Sequence, residues 1–127
     1  LGKCFYPGTK VKLIDGTIKQ IRSLDLGDVL EDGSVVESTM KINNKTNPEC
    51  LYVIKKAGVD GDDIFVTGSH LVFDRDMNKF VKVEDYRKAQ PINHQPEWFS
   101  CLITSHHRIK VGSELFWDWE DHFVKVH

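Results

Sequence analysis

A cysteine almost at the start of a chain, followed by an aromatic pair and a Pro-Gly turn, is placed to react with its own backbone. In Lys3-Cys4-Phe5-Tyr6-Pro7-Gly8-Thr9-Lys10-Val11 the thiol lies next to the Lys3–Cys4 peptide bond. Its sulfur can attack that bond's carbonyl carbon through a five-membered ring, with the chain as its own substrate. Two things oppose the attack. The thiol, with a pKa near ~8.5, needs activation toward thiolate. The amide nitrogen is a poor leaving group, and a general acid within about 3 Å typically contributes roughly 10²–10⁴ in rate. Histidine is the side chain whose unperturbed pKa lets it give and take a proton near neutral pH. Thr67-Gly68-Ser69-His70 offers one: a glycine there allows a backbone conformation closed to other residues, so that the Thr67 hydroxyl and the His70 imidazole point to one side of a turn. Taken alone, T-x-x-H is a weak signal, since a lone histidine is more often structural.

The remaining chemistry-bearing residues are Cys50, Cys101 and the adjacent pair His106 and His107. With no C-x-x-C spacing, a structural zinc site is not indicated. Three cysteines leave at least one thiol free even if the other two pair. Neighbouring histidines on a strand point to opposite faces, so at most one of His106 and His107 is expected to enter a given site. The Gly/Asp-rich residues 58–63 lack the D-x-D-x-D-G spacing of a calcium loop.

These residues must be carried by short strands. Lys10-Val11-Lys12-Leu13-Ile14 and Thr17-Ile18-Lys19-Gln20-Ile21 alternate with period two around an Asp15-Gly16 turn, and Asp32-Gly33 is a second hairpin signal. Further strands are expected over residues 34–42, 50–55, 64–66, 71–73, 80–83, 98–104 and 109–111. Residues 43–48 and 89–96 read as loops. A single helical turn is expected over 84–88. At 127 residues the chain is long enough for one domain with a real core. Seventeen Lys+Arg against nineteen Asp+Glu give a net charge of -2 and no basic stripe, which argues against nucleic-acid binding. No apolar run approaches a membrane span, and no signal peptide opens the chain. The start at Leu1 reads as a cut from a longer precursor, which leaves the compartment unknown.

In this order the motifs resemble the Hint domain shared by inteins and hedgehog autoprocessing domains. Cys4-Phe5 through Gly8-Thr9 and Val11, then Asp15-Gly16-Thr17 and Leu24…Gly27-Asp28-Val29, are similar to the N-terminal splicing block. Thr67-Gly68-Ser69-His70 is similar to the T-x-x-H block, and Cys101-Leu102-Ile103-Thr104 with His107 to a later one. The resemblance implies an all-β horseshoe of two pseudo-symmetric halves with at most one short helical turn. Residues 1–3 would be the tail of an upstream segment and 4–127 the Hint domain. It also implies roles. Cys4 performs an N-to-S acyl shift at Lys3–Cys4. Thr67 and His70 polarise or strain the bond, and His70 protonates the departing amine. Cys101 tunes the thiol or accepts the acyl group, or is only a buried strand cysteine, and His107 assists a later step.

Splicing members finish with His-Asn before Cys, Ser or Thr. Here the matching stretch is Phe116-Trp117-Asp118-Trp119-Glu120-Asp121, and Val126-His127 is no such ending either. Asn cyclisation needs a side-chain amide that Asp118 lacks. Trp117 and Trp119 are expected on opposite faces of a final strand, away from the chemistry. The resemblance therefore implies a single-turnover, cysteine-dependent self-cleaving domain that releases its upstream segment through a thioester to water, a thiol or an amine, without full splicing. It would act as a monomer and need no cofactor or metal. One alternative is a silent Hint-like scaffold for binding; another is a site where Cys4, His70 and His107 capture zinc.

Overall fold

In the computed structural model, which describes residues 3–45 and 48–120, the two Asp-Gly signals are both turns. Gly16 has φ 89° and Gly33 φ 90°, a region L side chains avoid. The preceding aspartates accept backbone N–H groups two residues on, Asp15 from Thr17 at 2.9 Å and Asp32 from Ser34 at 3.0 Å. The first turn joins β1 (Lys10–Lys12) to β2 (Ile18–Gln20). Around the second, only the isolated pairs Leu13↔Leu30 and Val29↔Val35 form.

The longer strands, labelled in chain order, assemble three further sheets. β3 (Val36–Asn43) runs antiparallel to β9 (Trp98–Thr104), with Met40 opposite Cys101 and Ile42 opposite Phe99. β4 (Leu51–Ile54) lies between β5 (Ile64–Thr67) and β8 (Ala89–Pro91). β6 (Leu71–Asp74), β7 (Lys79–Lys82), β10 (Arg108–Val111) and β11 (Glu114–Trp117) form a four-stranded sheet in the order β10-β11-β6-β7.

Two features depart from the sequence reading. The loop expected over 89–96 begins with β8, an edge strand where Pro91 is tolerated because one side of the strand needs no N–H. The helical turn expected over 84–88 is present as the 3-10 turn Val83–Asp85, two more occur at Ile21–Ser23 and Val59–Gly61, and there is no α-helix among the described residues. Each is too short to be legible as a helix, and each presses one apolar residue, Ile21, Val59 or Val83, into the interior. None is long or apolar enough to cross a membrane.

β5 and β6 flank the T-G-S-H turn as expected, but they belong to different sheets. Gly68-Ser69-His70 therefore carries the chain from the three-stranded sheet to the four-stranded one. Phe5, Val66, Val72, Leu102 and Phe116 form the core around this crossing, each 0–1% exposed. Phe5 meets Phe116 edge-on with ring centroids 4.9 Å apart.

Candidate functional site

The N-terminal stretch is wedged between β5 and β9, and this places most of the site. Phe5 pairs antiparallel with Val66 on one side and Ser100 on the other. Its N–H donates to the Ser100 carbonyl and its carbonyl accepts from the Ser100 N–H, both at 2.9 Å. In antiparallel pairing the next residue pair outward is Cys4 opposite Cys101, a narrow, non-hydrogen-bonded position where side chains lie closest. Their Cα atoms are 4.6 Å apart and the two sulfurs are joined as a disulfide. By the same count on the other side, Cys4 stands opposite Thr67.

Thr67 holds the Cys4 backbone at three points. The Cys4 N–H, the nitrogen of the Lys3–Cys4 bond, donates to Thr67 Oγ1 at 3.1 Å. Thr67 Oγ1 donates to the Cys4 carbonyl at 3.3 Å, and the Thr67 N–H donates to the same carbonyl at 3.1 Å. Thr67 is fully buried.

His70 is also fully buried, 4.6 Å from Phe5 and 5.3 Å from Phe116 between ring centroids. Its Nε2 lies 2.6 Å from the Trp117 carbonyl. A carbonyl only accepts, so in the neutral ring Nε2 carries the proton and Nδ1 the lone pair. Nδ1 is buried and has no hydrogen-bond partner. Burial pushes the imidazole down from its ordinary value to about 4, opposed by the Trp117 carbonyl and the backbone at Cys4. The resting ring is neutral, with a basic nitrogen held dry beside the Cys4 backbone.

The glycine between them works differently from the sequence reading. Gly68 does not adopt a positive φ; a Cβ there would sit 2.6 Å from Tyr52 Cε1 and 3.4 Å from Glu84 Cβ. Its requirement is space, not backbone conformation. Gly68→Ala should displace the Tyr52 ring and lower stability by about 1–3 kcal/mol, read from urea unfolding.

His107 stands apart from this cluster. It occupies the turn between β9 and β10 at φ 56°, not a strand, so the opposite-faces argument for His106 and His107 does not apply. Its Nδ1 lies 3.0 Å from Asp118 Oδ2 and 3.7 Å from Glu120 Oε2, and its ring stacks on Trp117 at 5.6 Å. Asp118, fully buried, also accepts the Thr104 N–H at 2.9 Å and the Glu120 N–H at 3.0 Å. Asp118→Ala should strand the buried Thr104 N–H and destabilise the fold by about 1–3 kcal/mol in the same measurement.

Cys4, Thr67, His70 and Cys101 are thus brought together, and His107 is linked to them through Trp117, whose ring it stacks on and whose carbonyl holds His70. Trp117, read as remote, enters the site through its backbone, which no side-chain pattern reveals. Trp119, beyond the strand end, packs on the cluster of Cys4, Leu51, Phe99 and Cys101. Asp118 is a carboxylate in the apolar run Leu115-Phe116-Trp117-Asp118-Trp119, and that context was the available sign of a buried partner. Cys50 is a half-buried free thiol. Cys4, His70 and His107 form no metal cluster; among the described residues no group of three donors is arranged for one, so the zinc alternative lacks a donor set.

No family model matches the chain, and no curated protein matches it. Solved structures do. The crystal structure of the gp41-1 intein superposes with a TM-score of 0.67 at 14% identity, over 91% of this chain and 98% of that one. A glutathione-linked, splice-inactive variant of the AceL NrdHF class 3 split intein gives 0.65 at 14%, over 93% and 99%. The DnaB intein from Synechocystis sp. PCC 6803 gives 0.64 at 12%, over 91% and 97%. At these identities the likeness speaks to architecture, and it agrees with the all-β construction described above: the chain has the Hint fold of inteins.

Proposed function

We propose that this chain is a self-processing Hint domain that shifts its upstream polypeptide from the Cys4 nitrogen to the Cys4 sulfur and releases it from the thioester, without splicing. The observation that carries the reading is the meeting of three groups: the Cys4 N–H on Thr67 Oγ1, with the buried His70 beside the same backbone.

The step runs in the reduced protein. His70 Nδ1 takes the Cys4 thiol proton, and the sulfur adds to the Lys3 carbonyl carbon. The C–N bond then breaks and the proton passes from Nδ1 to the departing nitrogen. One S–C bond forms, one C–N bond breaks, and a proton moves from sulfur to nitrogen. A ring whose burial disfavours the charged form gives its proton up readily, which suits a general acid. A thiolate beside it offsets the cost of charging it, since an opposite charge favours imidazolium. Thr67 Oγ1 holds the N–H before the shift and accepts a stronger, charge-assisted hydrogen bond while the nitrogen carries the extra proton, before the C–N bond has broken. Water, a small thiol or an amine then attacks the thioester carbonyl and regenerates the Cys4 thiol. Residues 1–3 would stay with the released segment; the end of the 4–127 unit lies outside the described residues.

The test is chemical trapping. A reporter protein fused ahead of Leu1 is reduced with a phosphine and treated with hydroxylamine. The expected product is the reporter ending in a Lys3 hydroxamate, identified by mass spectrometry. Its absence from the fully reduced protein would favour a silent scaffold, a reading to which the disulfide on Cys4 lends weight.

A further inference from the structure

We infer that the cleft where β4, β8 and the β10–β11 turn meet is a binding site for a small oligophosphate, held by Lys55, Lys56, Arg87 and Lys88. The site is separate from the Cys4 chemistry and does not depend on it. β4 pairs with Thr67 at its Leu51 end, and the cleft opens at its Ile54 end.

β4 and β8 run antiparallel, and their pairing stops with Ile54 opposite Ala89. Lys55 and Lys56 continue from one strand, and Arg87 and Lys88 lead into the other. All four line one opening of about 440 Å³. Like charges set against each other across a strand pair are destabilising. In a chain of net charge -2, carboxylates are plentiful enough to offset this. Elsewhere they do: Lys10 meets Asp62, Lys19 meets Asp25 and Asp28, and Lys110 meets Glu31. Among the described residues no carboxylate pairs with Lys55, Lys56 or Lys88. Arg87 alone has a partner, Asp76. Glu114, the acid in the lining, is buried and accepts the Tyr86 hydroxyl at 2.8 Å. The four positive charges are therefore left for something that is not part of the chain.

The backbone holds the walls in place. Lys56 sits at φ 56°, a region costly for a residue with a Cβ, and its N–H donates to Asp63 Oδ1 at 2.8 Å. Facing it, the β10–β11 turn presses on Ala57: a Cβ on Gly112 would lie 2.1 Å from the Ala57 carbonyl. Ser113 donates to that same carbonyl through its N–H at 2.9 Å and its hydroxyl at 3.2 Å. Only the long side chains remain to be ordered when a ligand enters, which lowers the cost of binding.

The lining selects the ligand class. Four cations on two walls exceed what a single carboxylate can use. A guanidinium takes two phosphoryl oxygens in a fork, and the lysines act as point charges on the others. No aromatic ring lines the cleft, so nothing stacks a nucleobase. The matching chemistry is two or more linked phosphoryl groups, free or as the tail of a nucleotide.

The experiment titrates the whole chain with sodium tripolyphosphate by calorimetry at low ionic strength. One equivalent should bind saturably and weaken steeply with added salt. Lys55→Gln with Lys88→Gln should weaken binding at least about tenfold, while Lys41→Gln with Lys45→Gln, the same charge change at the far end of β3, should leave it within about twofold. Without ligand, the Lys55/Lys88 variant should unfold at the same urea concentration as the wild type or higher, because it relieves repulsion. A nucleoside triphosphate should bind as tripolyphosphate does, and a nucleoside monophosphate far more weakly. Three results would overturn the site. One is no saturable binding at about 1 mM tripolyphosphate. Another is equal weakening by both variant pairs, the mark of a diffuse surface field. The third is binding of duplex DNA by a chain that ignores tripolyphosphate.

Discussion

In the reduced protein, His70→Ala should slow reporter release by about 10²–10⁴-fold, and Cys4→Ala should abolish it. The two losses have different origins. Cys4 is the acyl acceptor, and nothing else in the cluster offers a sulfur to the Lys3 carbonyl without a larger ring. His70 supplies the proton that turns an amide nitrogen into a leaving amine, a contribution of the size seen for a positioned acid. The ring's position is set from outside the reaction. The Trp117 carbonyl holds Nε2, and Phe5 and Phe116 pack against the ring at tilted and edge-on angles. His70→Gln keeps much of the volume and a polar end but cannot relay a proton, so it should fall with His70→Ala. A glutamine variant that releases at the wild-type rate would show that the imidazole serves packing alone. Folding of both variants is checked by urea unfolding, which separates lost chemistry from lost structure.

Acid should destabilise this domain in a window that His70 sets. The folded-state pKa of about 4 lies below the unfolded value near 6.5. Above pH 6.5 the ring is neutral in both states and contributes no pH dependence. Between 6.5 and about 4 the unfolded chain binds a proton that the folded one refuses, so stability falls as pH falls. Below about 4 both states are charged and the slope from this group vanishes. The full loss is about 3 kcal/mol. The measurement is urea unfolding at a series of pH values for the wild type and for His70→Gln, both with the disulfide formed. Their difference should be flat above pH 6.5 and narrow below it. A constant difference down to pH 4 would mean that the ring is not held neutral by burial.

These expectations bear on the two readings in different ways. The acid response follows from burial alone and holds for a silent scaffold as well as for an active one. The release experiment separates the two, because only an active domain needs both the sulfur and the ring. Reduction adds a third axis: opening a cross-link of this span removes a constraint on the unfolded chain, typically worth ~2–4 kcal/mol. Release should therefore be compared with stability measured in the same redox state.

The sequence by itself determined the local features. Period-two alternation and Asp-Gly turns specified a β-rich chain. Cys4 next to Lys3, and Thr67 three residues before His70, specified which groups could act. Those are statements about neighbours along the chain, and residue type with spacing is enough to make them. What only the tertiary structure decided is what comes together across the chain. The wedging of Phe5 between Val66 and Ser100 put Thr67 on one side of Cys4 and Cys101 on the other, and a shift of one residue in either register would have turned both away. The cross-link between Cys4 and Cys101, the Trp117 carbonyl on His70 and the Asp118 carboxylate on His107 all arise from such pairings. Register is fixed by the summed burial of both strands and by backbone hydrogen bonds that every residue type can make, so no single stretch of sequence spells it out.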